Sequence, residues 1–247
     1  LGYFLRVKYV IIYWENEQPE QGGTFLQQEL LQESKRYALK RLKEEADHIK
    51  EKGFSAVLHY RKEHTHTVVG LSKKIADKIG ADPLVCEIGA WFHDLGKCYN
   101  PRLSPEENHL RRRNHGFYGA EEAKEFLKGK NADPDFIQEV YIGIKEHVGL
   151  TRKEKEPLSP LTAAVIWDAD KVSKIGWSAW IHFLAYTCNR EREEQDLLDL
   201  LKRDGLETME KIFQNLNTEV AKKLAKKRLD NYRENLYHME GVLRGEI

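Results

Sequence analysis

Cysteine is scarce: the 247 residues hold three, Cys86, Cys98 and Cys188, an odd number without Cys-x-x-Cys spacing, which excludes a disulfide framework and a zinc ribbon. A reducing, cytoplasmic setting is therefore expected. Net charge is also missing, because 40 Lys and Arg balance 40 Asp and Glu. No global field draws the chain to nucleic acid or to a membrane surface, so any anion binding has to be local and the expected partner is small. No apolar run approaches the roughly twenty residues that span a bilayer. The apolar and aromatic first 14 residues are interrupted by Arg6 and Lys8 and lead into no small-residue cleavage site, so a signal peptide is not expected there either. Strand-like alternation is absent beyond that first stretch, and so is any internal repeat. What remains reads as nearly all helix.

The helices announce themselves by spacing. After a Gln/Glu/Gly-rich linker over Glu15–Gly23, Thr24 is placed to cap a long helix in which Leu26, Leu30, Leu31, Ala38, Leu42, Ala46 and Ile49 recur at three- and four-residue intervals, with Gly53 ending it. Its Glu and Lys mark a solvated face, and its expected role is packing or oligomer formation. Asp82-Pro83 and Asp133-Pro134 each supply an N-cap and a first-turn proline. The first opens a helix with Leu84, Ile88, Trp91 and Leu95 on one stripe and Cys86, Gly89 and Ala90 opposite, apolar or small nearly all round and therefore expected to be buried. Lys97 to Asn114 loses periodicity, carries Pro101, Pro105 and Arg111-Arg112-Arg113, and is expected to be a long loop. A helix follows His115, and Ser159-Pro160 opens another that is apolar on most sides. The chain divides into an N-terminal extension with its long helix (1–53), a core (54–188) and a charged C-terminal helical region (189–247). The long charged helices at the two ends suit a homo-oligomer.

Chemistry enters with the polar residues set into these apolar stripes. His64 shares a stripe with Val68, Leu71, Ile75 and Ile79, whereas His66 points the other way. His93-Asp94 ends the most apolar helix, among its small residues. His115 and His147 lie at helix ends beside apolar faces, and Asp168 and Asp170 are buried in the helix after Pro160. Carboxylates in such places are normally paired, hydrogen-bonded or metal-bound. These two differ by about 200° around the helix, so they cannot serve the same partner, and the wheel does not choose between them.

Three segments in order, His64 with Val68, Ser72, Ile75 and Ala76 following, then His93-Asp94-Leu95-Gly96-Lys97, then Asp168-Ala169-Asp170-Lys171-Val172, resemble the HD superfamily of metal-dependent phosphohydrolases. The resemblance covers roughly Phe54 to the end, and the C-terminal part is similar to small stand-alone HD hydrolases. It implies an all-α, HD-domain helical bundle with additional N- and C-terminal helices. It also implies that His64, His93, Asp94 and Asp170 hold a first metal, with Asp168 as a structural partner. The segments around His115 and His147 look like those of HD proteins that bind a second metal, with Asp94 bridging. The Gly-Tyr-Pro signature of cyclic-di-GMP phosphodiesterases is absent after His147, which disfavours that substrate.

Mixed imidazole and carboxylate ligands suit one or two ions of Mn, Fe, Co, Ni or Zn better than Mg or Ca. Together with this ligand chemistry, the resemblance implies hydrolysis of a phosphoester of a nucleotide or similar small phosphorylated substrate by metal-activated water, with Asp94 and Lys97 as catalytic residues. Lys97, Lys171 and Arg111, Arg112 and Arg113 are the cations available to hold phosphate. The alternatives are a non-catalytic nucleotide-binding regulatory domain and a metal-dependent nuclease. The zero net charge speaks against nucleic acid.

Overall fold

The structure is a computed structural model that describes residues 25–51, 60–152, 156, 158–176 and 198–246. Among these residues there is no strand. In chain order they form α1 (Phe25–Glu51), α2 (Tyr60–Ile79), α3 (Pro83–Phe92), a 3₁₀ turn (Leu95–Lys97), α4 (Pro105–Arg113), α5 (His115–Lys128), α6 (Pro134–Glu146) and α7 (Leu161–Val172). A π-helical segment (Leu201–Leu206) then leads into α8 (Glu207–Gln214) and α9 (Glu219–Leu243). The linker over Glu15–Gly23, the Thr24 cap and Gly53 lie outside the described residues. So do the expected domain boundaries at 53/54 and 188/189. No described helix is long and apolar enough to cross a membrane.

α3 is the centre of the bundle. The Asp82 carboxylate accepts the backbone N–H groups of Leu84 at 2.8 Å and Val85 at 3.2 Å, and every residue from Val85 to Phe92 is buried. Cys86 and Ala90 belong to one apolar cluster with Val68 and Ile75 of α2, Trp167 and Val172 of α7, and Leu229 and Tyr232 of α9. Ile88 and Phe92 belong to a second, with Ala38 and Leu42 of α1, Ala120 of α5 and Ile144 of α6. A helix with a stripe for each of two clusters has no solvated face left, which accounts for its composition. The small residues opposite the Leu84–Trp91 stripe admit α7: a Cβ on Gly89 would lie 2.3 Å from Ile166 Cδ1. Asp133 repeats the cap at α6, accepting N–H groups of Asp135 at 2.9 Å and Phe136 at 3.1 Å.

The expected loop from Lys97 to Asn114 is in part a helix. Ser104 Oγ accepts the Glu107 N–H at 3.1 Å while the Glu107 carboxylate accepts the Ser104 N–H at 2.7 Å, a reciprocal capping box with Pro105 in the first turn of α4. α4 buries none of its residues, so it has no apolar stripe for periodicity to detect. Its N-terminal signal, Ser-Pro-Glu-Glu, was the readable one.

Candidate metal centre

Five parts of the bundle deliver polar side chains to one interior point. His64 comes from the second turn of α2, His93 and Asp94 from the end of α3, His115 from the first turn of α5, His147 from the C-cap of α6, and Asp170 from α7. Close approach of α5 to the turn after α3 depends on Gly96, where a Cβ would sit 2.2 Å from the His115 carbonyl oxygen. All six residues expected from the sequence are thus brought together. His64, His93, Asp94, His147 and Asp170 are buried, and His115 is nearly so.

The histidines are oriented by what their outer nitrogens touch. His93 Nδ1 lies 2.6 Å from the Ala90 carbonyl and His147 Nδ1 contacts that of Ile144. Carbonyls only accept, so both Nδ1 atoms carry the proton and both Nε2 lone pairs face inward. Ser173 donates its hydroxyl hydrogen to the Asp170 carbonyl at 2.6 Å, so its oxygen, 3.2 Å from His64 Nδ1, is left to accept from that ring. His64 Nε2 then faces His93 Nε2 at 3.2 Å and Asp170 Oδ1 at 3.1 Å. Lone pairs packed this closely repel one another unless a cation stands among them. Burial keeps His93 and His115 neutral, holding both near pKa 3, the protonation state that metal ligation needs.

Asp94 is shared by two groups, His64–His93–Asp94 and Asp94–His115–His147, whose ligand atoms in each case all lie within 4.8 Å of one another. Its Oδ2 is 3.8 Å from His64 Nε2 and 3.9 Å from His93 Nε2. Its Oδ1 is 3.5 Å from His147 Nε2 and 3.7 Å from His115 Nε2. Burial opposes ionisation of Asp94, but the positive charge that faces it, that of Lys97 once His93 is neutral, outweighs it and holds the carboxyl well below the ordinary Asp range. Lys97 Nζ lies 2.7 Å from Oδ1, although not in hydrogen-bonding direction, so Oδ1 is a buried oxygen that accepts no hydrogen bond. A buried carboxylate oxygen that accepts no hydrogen bond and faces two imidazoles fits a divalent transition ion. Asp170 is held low in the same way, the pull of Lys171 and Lys174 exceeding the cost of burial. Both lysines contact its carboxylate.

Asp168 points elsewhere and is buried under four donors: Asn217 N and Nδ2, both at 2.8 Å, and Thr218 N and Oγ1 at 2.8 and 2.7 Å. It therefore ties α7 to the start of α9. Burial lifts its carboxyl above the ordinary value, against the pull of those donors.

The expected phosphate contacts separate. Lys97 stands at the centre with its side chain 26% exposed. Lys171 is buried, its Nζ on Asp170 and, at 2.8 Å, on the His147 carbonyl, with its pKa lowered by that burial to about 8. Arg111 pairs with Glu122 on α5, Arg112 donates to Glu45 on α1 at 2.9 Å, and Arg113 is exposed. Two cations at the centre escaped the sequence reading. Lys174 stands four residues after Asp170, and Arg61 stands three before His64 with Nη1 at 3.8 Å from Asp94 Oδ2. Both spacings place residues on one helix face, so the signal was available.

Comparison with known proteins accords with this geometry. Residues 61–175 match the HD domain family. The fold is similar to that of YpgQ from Bacillus subtilis, with a TM-score of 0.60 at 18% identity over 90% of this chain and 99% of that one. A second YpgQ crystal structure, in complex with ADP, gives 0.56 at 18% identity over 87% and 95%. An HD-superfamily hydrolase from Bacillus thuringiensis gives 0.61 at 15% identity over 88% and 98%. No curated protein matches the chain by sequence. The family match and the shared bundle together show that this chain carries an HD domain at residues 61–175, within a bundle that has the fold of HD-superfamily hydrolases.

Proposed function

We propose that the chain is a divalent-metal-dependent phosphohydrolase acting on a phosphoester of a nucleotide. The observation that carries this reading is the sharing of buried Asp94, whose Oδ1 accepts no hydrogen bond, between two histidine groups. His64, His93, Asp94 and Asp170 would hold one ion, and Asp94, His115 and His147 a second. Bound there, such ions supply Lewis-acid charge and make water acidic enough to be a nucleophile near neutral pH.

The protein's own groups do the rest. Asp94 orients the attacking water and accepts its proton. Because its carboxyl is held well below the usual range, it is a weak base, and orientation is its larger contribution. Lys97, beside Asp94 Oδ1 and partly open to solvent, meets the phosphoryl oxygens and stabilises the charge that develops on them. The Nδ1 bonds of His64, His93 and His147 keep the three rings from turning. A nucleotide as the phosphoester finds support in the ADP bound by YpgQ, and the balanced charge favours a small substrate over a nucleic acid.

The test is metal analysis of the purified protein followed by phosphatase, phosphodiesterase and pyrophosphatase assays with Mn²⁺ restored. Hydrolysis that requires the ion and is lost on chelation is expected. Metal-loaded protein that binds ADP but cleaves nothing in the panel would instead make it a regulatory domain.

A further inference from the structure

α1 precedes the segment matched by the family, yet one of its side chains reaches the rim of the metal centre. Glu45 is only 2% exposed. Its Oε2 accepts the Tyr99 N–H at 2.6 Å, and its Oε1 accepts Arg112 Nη2 at 2.9 Å while lying 3.8 Å from Arg61 Nη2. The other end of the Arg61 fork, Nη1, is 3.8 Å from Asp94 Oδ2. Arg61 therefore spans from a metal-ligand carboxylate to a carboxylate on α1, and Arg112 meets the same Glu45 oxygen. Neither 3.8 Å approach of Arg61 is a hydrogen bond. Its side chain is 26% exposed and that of Arg112 53%, so both guanidiniums have donors left for a ligand.

With a cation bound at Asp94 this arrangement is unbalanced. Asp94 already has Lys97 beside Oδ1, and a guanidinium beside Oδ2 repels any cation that the carboxylate is built to hold. An anion lying between removes that repulsion, and the planar fork of arginine matches phosphate oxygens. Asp94 and Glu45 against Lys97, Arg61 and Arg112 leave the cluster positive. The cations are ordered outward from Asp94: Lys97 and Arg61 next to it, then Arg112 beyond Glu45.

We propose that Glu45 is a positioning residue that presents Arg61 and Arg112 to a substrate carrying a diphosphate unit, Arg61 to the phosphate at the metal centre and Arg112 to the next one along. The substrate class is thereby a nucleoside di- or triphosphate or another linear polyphosphate. This rests on the metal-dependent phosphohydrolase reading above. The competing account makes Glu45 only a staple that holds Tyr99 and α4 against α1, in which case Arg112 has no bearing on ligand choice.

Calorimetric titration of the Mn²⁺-loaded full chain with inorganic phosphate and with imidodiphosphate, a diphosphate that resists hydrolysis, separates the two. The wild type is expected to bind imidodiphosphate at least about tenfold more tightly than phosphate, roughly one charge-assisted contact. Arg112→Gln should remove most of that preference and leave phosphate affinity unchanged, and Arg112→Lys should restore part of it. Glu45→Gln should reduce the preference in the same direction. Arg61→Gln should weaken both ligands about tenfold or more while Mn²⁺ binds at least as tightly as before. A general loss of structure would weaken all three. An Arg112→Gln protein that keeps the wild-type preference overturns the proposal, and because Arg112 is exposed that variant remains informative even if the Glu45 variant fails to fold. Wild-type protein that binds Mn²⁺ and both anions equally overturns this inference alone. Wild-type protein that binds no divalent ion overturns the phosphohydrolase reading, and this inference with it.

Discussion

Asp94 and Asp168 are both buried aspartates, and their surroundings assign them opposite work. Asp94 keeps one oxygen free of hydrogen bonds and faces inward-pointing imidazoles; Asp168 has four donors and no histidine. Replacing Asp94 by Asn keeps the shape and removes the charge that two ions would share. The Asp94→Asn protein is expected to lose bound Mn²⁺ and at least about a hundredfold in kcat/KM, the upper end of what outer supports of a metal site cost, while still folding. Metal analysis beside steady-state kinetics checks this. Asp168→Asn should do the reverse. An amide cannot accept from both Asn217 and Thr218 with both its terminal atoms, so buried donors are orphaned, and the expected cost is about 2–3 kcal/mol of stability with the metal retained. Denaturant melts of the two variants decide it. Cys98 gives a third residue-scale expectation. Burial pushes its thiol up to about 12, so at pH 8 roughly one molecule in 10⁴ is thiolate. Alkylation followed by peptide mapping should label Cys98 only at the rate at which the chain opens.

The centre exists because elements approach one another closely, and the tightest approach is that of the turn after α3 to the start of α5. A Cβ on Gly96 would lie 2.2 Å from the His115 carbonyl oxygen and 2.8 Å from His115 Cα, both of them backbone atoms that cannot turn aside. Gly96→Ala is therefore expected to push α5 away, carrying His115 from Asp94 while leaving His64 and His93 in place. Mn²⁺ stoichiometry should fall from two ions towards one, and crystal or NMR data on the variant should show His115 displaced. The same dependence on approach explains what could be read beforehand. His64 and His93 lie on helices with strong apolar faces, so their inward direction follows from the helical period. Asp170 over Asp168 needed the family pattern, because both are buried and only their neighbours on other helices differ. The Arg111–Arg113 run looked like one cationic patch, but successive residues of α4 point about 100° apart, and Arg111 and Arg112 go to Glu122 and Glu45. Glu45 itself was not legible. Nothing in the heptad-like spacing of α1 says that its outer face lies against Tyr99 and α4.

At the scale of the molecule, the proposed ligands would cross-link α2, α3, α5, α6 and α7, which between them belong to both apolar clusters. Without an ion, three inward Nε2 lone pairs and two ionised carboxylates converge on one buried point, with only lysines and Arg61 at the edges to offset them. An ion that binds only the folded arrangement must stabilise it by RT ln(1 + [L]/Kd), about 2.7 kcal/mol when the metal stands at a hundred times Kd. The native state is thus expected to be metal-linked rather than merely metal-decorated. Chelated protein should melt at a lower temperature than Mn²⁺-loaded protein, and Tm should climb with the logarithm of added Mn²⁺ once the site is near saturation. The dependence must vanish in Asp94→Asn, which has no shared carboxylate, and persist in Asp168→Asn, whose lower Tm comes from the α7–α9 junction. A Tm that ignores Mn²⁺ in the wild type, or that follows it equally in Asp94→Asn, would mean that the stabilising ion binds somewhere other than among these five helices.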